Sequence, residues 1–248
     1  MLNLIAAIRR KPGMTQHAFL HYLQHVHGSL AAENPLHVRR YVQNHVFDAS
    51  FGSEEDPTHL TDFGRDSVTE LHFENMEALA ATMAAPYTRE VIGPDGAHFN
   101  DMPSALALLA RPSVLMPPPA PEDEGQVKVL HFLHMSEGLD LDSFTERWQT
   151  AHEKVLASDE PQAAALRGYV QHRQVSGAEK ALRHFGGRDK HVYEGVAALY
   201  YDSPDEALTH FPSYERSLRE HSAETDGFYD PSRSFVLYSR EVTIFQRP

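Results

Sequence analysis

The pattern of apolar and polar positions divides the chain into two runs of the same kind. In the first, Leu2–Arg9 reads as a strand, and Pro12-Gly13 turns the chain. Thr15 is placed to cap a helix reaching to about Ala32. Val38–Phe47 and Val68–Phe73 read as strands separated by a long polar loop; Met76–Val91 has helical spacing, and Ala105–Arg111 is a last strand. The second run repeats the order with a strand over Val127–His134, a helix over Leu141–Ala157, strands at Gly168–Val175 and Val192–Tyr201, a helix over Pro204–Glu220 and a strand at Phe235–Phe245. Between them Pro117–Gln126, PPPAPEDEGQ, has no apolar period and reads as a semi-rigid extended linker. The predicted organisation is a domain at 1–116, a linker at 117–126 and a domain at 127–248.

The two runs also match residue by residue, as an internal duplication does. Phe19, Leu23 and His27 correspond to Phe144, Trp148 and His152 at a constant offset. Tyr41-Val42-Gln43 corresponds to Tyr169-Val170-Gln171, and Val68–Asn75 to Val196–Ser203. Phe63-Gly64-Arg65-Asp66 reappears in Phe185-Gly186-Gly187-Arg188-Asp189. Strand–helix–strand–strand–helix–strand is the ferredoxin-like unit, so the expected class is α+β with two βαββαβ units.

Composition narrows the chemistry. The chain has 248 residues, 41% of them hydrophobic, with no cysteine, 17 histidines and a formal charge of −13. An acidic surface repels phosphate backbones, so nucleic acid is not an expected partner. The absence of cysteine removes thiolate nucleophiles and Cys-ligated metals. No apolar run reaches the roughly 18 residues of a membrane span. MLNLIAAIRRKPG lacks the order of a signal peptide, so a cytoplasmic location is expected. Neither a Gly-rich phosphate loop nor a G-x-S-x-G elbow occurs, which disfavours dinucleotide, phosphoryl-transfer and α/β-hydrolase chemistry.

The histidines separate by position. Phe19, Leu23 and His27 fall on one helix face with Tyr22, Val26 and Leu30. A histidine ending an apolar stripe is as a rule a satisfied core residue, but its recurrence at His152 favours a functional one. His17, His21 and His25 form a second stripe on the opposite face, expected to be solvent-exposed and not a metal site. On strand two, Val38, Val42 and Val46 are expected under the helices, with Tyr41, Gln43 and His45 on the other face. Strand three adds Glu70 and His72; their counterparts are Ala198 and Tyr200, an asymmetry expected of one working site beside a degenerate or substrate-shaping one.

Lys11-Pro12-Gly13, Phe19, Tyr22, His27, Tyr41-Val42-Gln43-Asn44 and Glu70-Leu71-His72-Phe73 together resemble the EthD family of dimeric α+β barrel proteins. Leu23 departs from the tryptophan of that pattern, whereas Trp148 keeps it; the second half has Ala198 in place of the glutamate. The resemblance implies two ferredoxin-like units pairing as an intramolecular α+β barrel around a cavity, most relatives using no cofactor. It also implies a small-molecule substrate and, for the assembly, a homodimer of such pseudo-dimers.

Histidine, tyrosine and glutamate can move protons without a cofactor. Neutral imidazole can take a proton next to a carbonyl, and a phenol can donate a hydrogen bond to the enolate oxygen that forms. The expected catalytic set is His27 as base, Tyr41 as oxyanion donor, Glu70 as orienter and His152 as a second acid. Tyr22, Gln43 and His72 are expected to line the substrate, with Trp148, Tyr169, Gln171 and Tyr200 from the second half. The leading expectation is a cofactor-independent lyase or isomerase acting on a carbonyl-bearing aromatic, lactone or polyketide-like compound. A cofactor-free monooxygenase, a haem protein and a non-catalytic binding protein are the alternatives. The loops Asp48–Asp66 and Ser176–Lys190 exceed ordinary connection lengths and could act as lids or lie as surface loops.

Overall fold

Each half of the chain contributes four strands to one sheet, and the two sheets join at both edges. The computed structural model describes residues 1–51, 64–120, 125–175 and 193–247. The first unit has β1 (Leu2–Ile8), β2 (Arg40–Phe51), β3 (Ser67–Phe73) and β4 (Leu106–Met116). The second has β5 (Val127–Leu133), β6 (Gly168–Gln174), β7 (Gly195–Tyr201) and β8 (Phe235–Gln246). All neighbours are antiparallel, in the closed order β1-β3-β2-β8-β5-β7-β6-β4. Closure leaves no strand with an unpaired edge, which removes the usual hazard of edge-to-edge association. The joints are β2 with β8 and β4 with β6, so each crosses from one unit to the other. The α+β class expected from the repeated element order and the intramolecular barrel implied by the family resemblance are therefore what the chain forms.

Helices cover the outer faces. In the first unit these are α1 (Gln16–Tyr22), continued by a π-helical turn at Leu23–His27 into α2 (Gly28–Glu33), then α3 (Met76–Ala84), a second π turn at Thr88–Ile92, and α4 (Gly93–Phe99). In the second they are α5 (Leu141–Leu156), the short α6 (Pro161–Ala164) and α7 (Pro204–Ala223). Side-chain caps start the longer ones: Thr15 on α1, as expected, Asn75 on α3, Asp140 on α5 and Ser203 on α7. No described helix is long and apolar enough to cross a membrane.

One predicted helix is broken. The spacing carried a helix from Met76 to Val91, but it stops at Ala84, and Ala85 is extended at ψ 139°. Ala85 precedes Pro86, and proline pushes the residue before it out of the helical region. The backbone restarts as the π turn, in which Gly93 N–H reaches back five residues to Thr88 O.

The sheet faces are the reverse of the expectation for β2. Val46 packs inside the barrel with Ile5, Val68, Leu130 and Phe132, whereas Tyr41 packs against the first unit's helix layer. The alternation was legible, but a bare period of two does not say which face is which. The barrel interior also holds charge. Lys128, 3% exposed, is ion-paired to Glu70 and lies 2.8 Å from Glu241, which pairs in turn with Arg40. Asn44 Nδ2 donates to Glu70 Oε1 at 2.8 Å. Arg40 and Glu70 belong to the first unit, Lys128 and Glu241 to the second, so the network ties the units together. Burial alone would raise the Glu70 carboxyl and lower the Lys128 ammonium. Their mutual attraction, with Glu241, overrides burial and holds Glu70 well below and Lys128 well above their ordinary values.

Candidate active site

Between the first unit's sheet and its helices lies a cavity of about 510 Å³. Its floor carries Tyr41, Thr69 and Leu71; its helical wall carries Leu23, His27 and Phe99. Both π turns line it, through Leu23 and His27 on one side and Thr88, Arg89 and Ile92 on the other. The extra residue in a π turn keeps Phe19, Leu23 and His27 facing inward while leaving Val26 exposed at 38%, outside the apolar face expected for it. Gly28 closes the first π turn with its N–H on Leu23 O. A side chain there would crowd Ile244 Cδ1 at 3.2 Å and Gln43 Nε2 at 3.4 Å.

His27 is held by a residue that no motif announced. Its Nδ1 is 2.8 Å from Asp95 Oδ2, and Tyr22 donates its hydroxyl to Asp95 Oδ1 at 2.7 Å. Phe99 packs beside the imidazole with ring centroids 4.9 Å apart. Burial lowers the His27 pKa and the Asp95 carboxylate opposes it, the net shift being downward. The ring is therefore neutral at pH 7, with its Nδ1 proton directed to Asp95. Nε2, which makes no hydrogen bond among the described residues, carries the lone pair.

Tyr41 shares the cavity and is 2% exposed. Gln43 Nε2 donates to its oxygen at 2.9 Å and to Leu23 O at 2.8 Å, tying the phenol to the π turn. Burial pushes the Tyr41 pKa up to about 12, with hydrogen bonds from Gln43 and Thr69 pulling the other way. The phenol stays protonated, and because its oxygen already accepts from Gln43 it is suited to donate.

Glu70 is not the orienter of His27. In the β2–β3 pairing Tyr41 lies opposite Leu71 and Val42 opposite Glu70. Directly opposed residues point to the same side, so Leu71 faces the cavity with Tyr41 and Glu70 faces the barrel interior. His72 goes with it, 3.7 Å from Glu70 through Nε2, and so does Tyr200, whose ring lies 5.4 Å from Lys128 Nζ. The expected catalytic and lining set thus splits across a sheet: His27 and Tyr41 line the cavity, Tyr22 and Gln43 stand behind them through Asp95 and the Tyr41 hydroxyl, and Glu70, His72 and Tyr200 lie on the other side.

The second unit packs the corresponding residues against one another. His152, 1% exposed, lies face to face with Tyr169 at a 3.4 Å centroid distance, and its Nδ1 meets the Tyr214 hydroxyl at 2.7 Å. Burial drives the His152 pKa down to about 3. Trp148, fully buried, lies over Gly195, where a Cβ would come within 2.5 Å of the indole. Ser67 holds the corresponding place in β3, and its hydroxyl donates to Asn44 O at 3.0 Å. Gln171, like Gln43, is buried behind its tyrosine, with Nε2 3.5 Å from the Tyr169 hydroxyl. This set is brought together, but as packed core.

His17, His21 and His25 are exposed as expected. Among the described residues no group of three or more His, Asp or Glu could hold a metal ion. Most of the two long loops, residues 52–63 and 176–192, and linker residues 121–124 lie outside the described residues, as does the repeat block at Phe185.

The EthD domain family model matches the chain twice, over residues 11–103 and 136–232. The chain belongs to the EthD family. No curated protein sequence matches it. Among solved structures, this EthD protein is similar to an anthrone oxidase-like protein at 8% identity and a TM-score of 0.57, covering 100% of this chain and 94% of that one. It is also similar to a monooxygenase candidate from Lactobacillus acidophilus at 11% identity and TM-score 0.51, covering 98% and 94%. A chlorite dismutase candidate matches at 12% identity and TM-score 0.50, covering 98% and 95%. At these identities the likeness is one of fold.

Sequence reasoning missed Asp95, Arg89 and Lys128. Asp95 lies 68 residues from His27 and follows a proline at the start of a short helix, a setting with no catalytic signature. Lys128 lies within the strand run Val127–His134, where nothing in the sequence marks its ammonium as buried.

Proposed function

We propose that this EthD protein is an enzyme in which His27 Nε2 removes a proton from a carbon next to a carbonyl group of a small, largely apolar molecule. The observation that carries this reading is the 2.8 Å contact from His27 Nδ1 to Asp95, which selects the tautomer with its lone pair on Nε2. The C–H electron pair moves toward the carbonyl oxygen, and Tyr41 donates a hydrogen bond to the oxygen as it becomes negative. Asp95 steadies the imidazolium, and Tyr22 holds Asp95. His152 contributes packing rather than a second acid.

This step is common to two outcomes. Return of the proton at another carbon, or loss of a leaving group, makes the protein an isomerase or lyase. Where the reacting carbon carries a second hydrogen, addition of the carbanion to molecular oxygen forms a C–O bond and a hydroperoxide, which loses water as its O–O bond breaks to leave a new carbonyl, and this makes it a cofactor-free monooxygenase. The test is deuterium incorporation: aryl ketones and lactones incubated in D2O with the protein should exchange the hydrogen next to the carbonyl, and His27→Gln should abolish the exchange. Oxygen uptake with any exchanging compound assigns the outcome. Exchange at the wild-type rate in His27→Gln would overturn the proposal.

One other reading has a specific observation behind it: a histidine with a carboxylate on Nδ1 and a free Nε2 is also how an axial haem ligand is held. Reconstitution with haem and a visible spectrum decides this, since only ligation gives a Soret band that His27→Gln removes.

A further inference from the structure

Among the described residues that line the cavity, Arg89 is the one with a formal charge, and it is positive. The Asp95 carboxylate lies behind the lining, on His27 Nδ1 and the Tyr22 hydroxyl. Arg89 is exposed, on the π turn that follows the break at Pro86, and it has no ion-pair partner among the described residues. Four other arginines of the first unit are ion-paired, Arg9 to Asp101, Arg10 to Asp66, Arg39 to Glu74 and Arg40 to Glu241, and none of these four lines the cavity. In a chain of net charge −13, a guanidinium with no ion-pair partner, in a lining that carries no other formal charge among the described residues, is a local reversal of sign. The rest of the lining is apolar apart from a few neutral polar groups such as Asn34 and Asn100.

We infer that the substrate of this site is an anion, an apolar carbonyl compound bearing a carboxylate that Arg89 receives while the body of the molecule lies between His27 and Tyr41. The inference rests on the proposed proton transfer for the position of the reacting carbon, and on the charge pattern alone for the carboxylate. A guanidinium meets a carboxylate with two parallel hydrogen bonds, which fixes orientation as well as affinity. A carboxylate held at the rim by Arg89 points the remainder of the ligand inward. The acidic surface outside the cavity slows the approach of such an anion, and Arg89 supplies the local attraction.

Calorimetric titration of the intact protein with 2-naphthoate and with 2-naphthamide tests this, because the two differ only in the charged group. Naphthoate should bind about tenfold more tightly in low salt, the range of a charge-assisted contact at an exposed site, and the preference should shrink as sodium chloride is raised. Arg89→Gln should weaken naphthoate to the level of naphthamide while leaving naphthamide unchanged, and Arg89→Lys should keep part of the preference. Leu23→Trp, which fills the cavity, should remove both. Equal binding of the two compounds, no binding of either at millimolar concentration, or naphthoate binding that survives Leu23→Trp overturns the inference. Deuterium exchange into neutral ketones does not involve Arg89, so the proton-transfer reading and this one can fail separately.

Discussion

Leu23 and Trp148 occupy corresponding places in the two units, one beside an open cavity and the other packed against a glycine. Leu23 lines the open space; Trp148 lies against Gly195 and fills its own. Exchanging the residues should move the space. Leu23→Trp should abolish ligand binding, with a change in stability of about 1–3 kcal/mol from overpacking, the cavity absorbing part of the added volume. Trp148→Leu should destabilise by about 2–4 kcal/mol through the void it leaves, with little effect at His27. Urea unfolding alongside the titrations above measures both.

The pH dependence of activity follows from the His27–Asp95 contact. A base works only when unprotonated, so activity should fall with acid, at a pKa below the ordinary histidine value because burial lowers it. Asp95→Asn removes the one influence that raises that pKa, so the acid limb should move to still lower pH. The rate on the plateau should drop about 10²- to 10⁴-fold as the tautomer preference is lost. Tyr22→Phe should shift the plateau far less. A pH–rate profile of deuterium exchange for the three proteins checks this, and an unchanged limb in Asp95→Asn would count against the dyad.

The charges inside the barrel predict a different kind of variant. Lys128→Met leaves Glu70 buried without its ammonium, and losing one partner of a buried pair typically costs about 3–5 kcal/mol. Replacing Glu70 by Gln in the same chain should recover part of the loss. Since these side chains lie across the sheet from His27, ligand affinity at temperatures where the variant is folded should stay near wild type.

Stability should fall in acid for a second reason. His131, His152 and His172 are buried and neutral, with pKa values pushed by burial to about 3, 3 and 4. In the unfolded chain each takes up a proton near pH 6.5, so the unfolded state binds more protons below that pH. Their contribution is complete above about pH 6.5 and declines by roughly 1.4 kcal/mol per pH unit for each as pH falls toward those folded values. Glu70, with its depressed pKa, adds to the loss only below the ordinary glutamate range, near pH 4.3 and under. Urea midpoints between pH 8 and 4.5 should show the decline, and His131→Leu should make it shallower by one proton.

The duplication and the element order were legible because they rest on period and repetition, both local properties of the chain; the barrel came from the resemblance to the EthD family. His27 and Tyr41 were each singled out by their recurrence in the second half. What was not legible depends on which way a face turns. Val42 and Tyr41 alternate whichever side the helices take, so Glu70 could be assigned to either. Asp95 reaches His27 only because Pro86 breaks the second helix and the chain re-forms as a π turn and a short helix. That geometry depends on tertiary packing and has no spacing to read.

The joining of two barrel halves in one polypeptide has a consequence for what can vary. In a barrel made of two identical chains every substitution is made twice, so a tryptophan that fills one cavity fills both. Here the halves are separately encoded, and the second can exchange volume for rigidity without harm to the first. A library of variants should therefore show two tolerances in one sequence. Positions around His152 should accept only changes that preserve volume, and those around His27 only changes that preserve empty space.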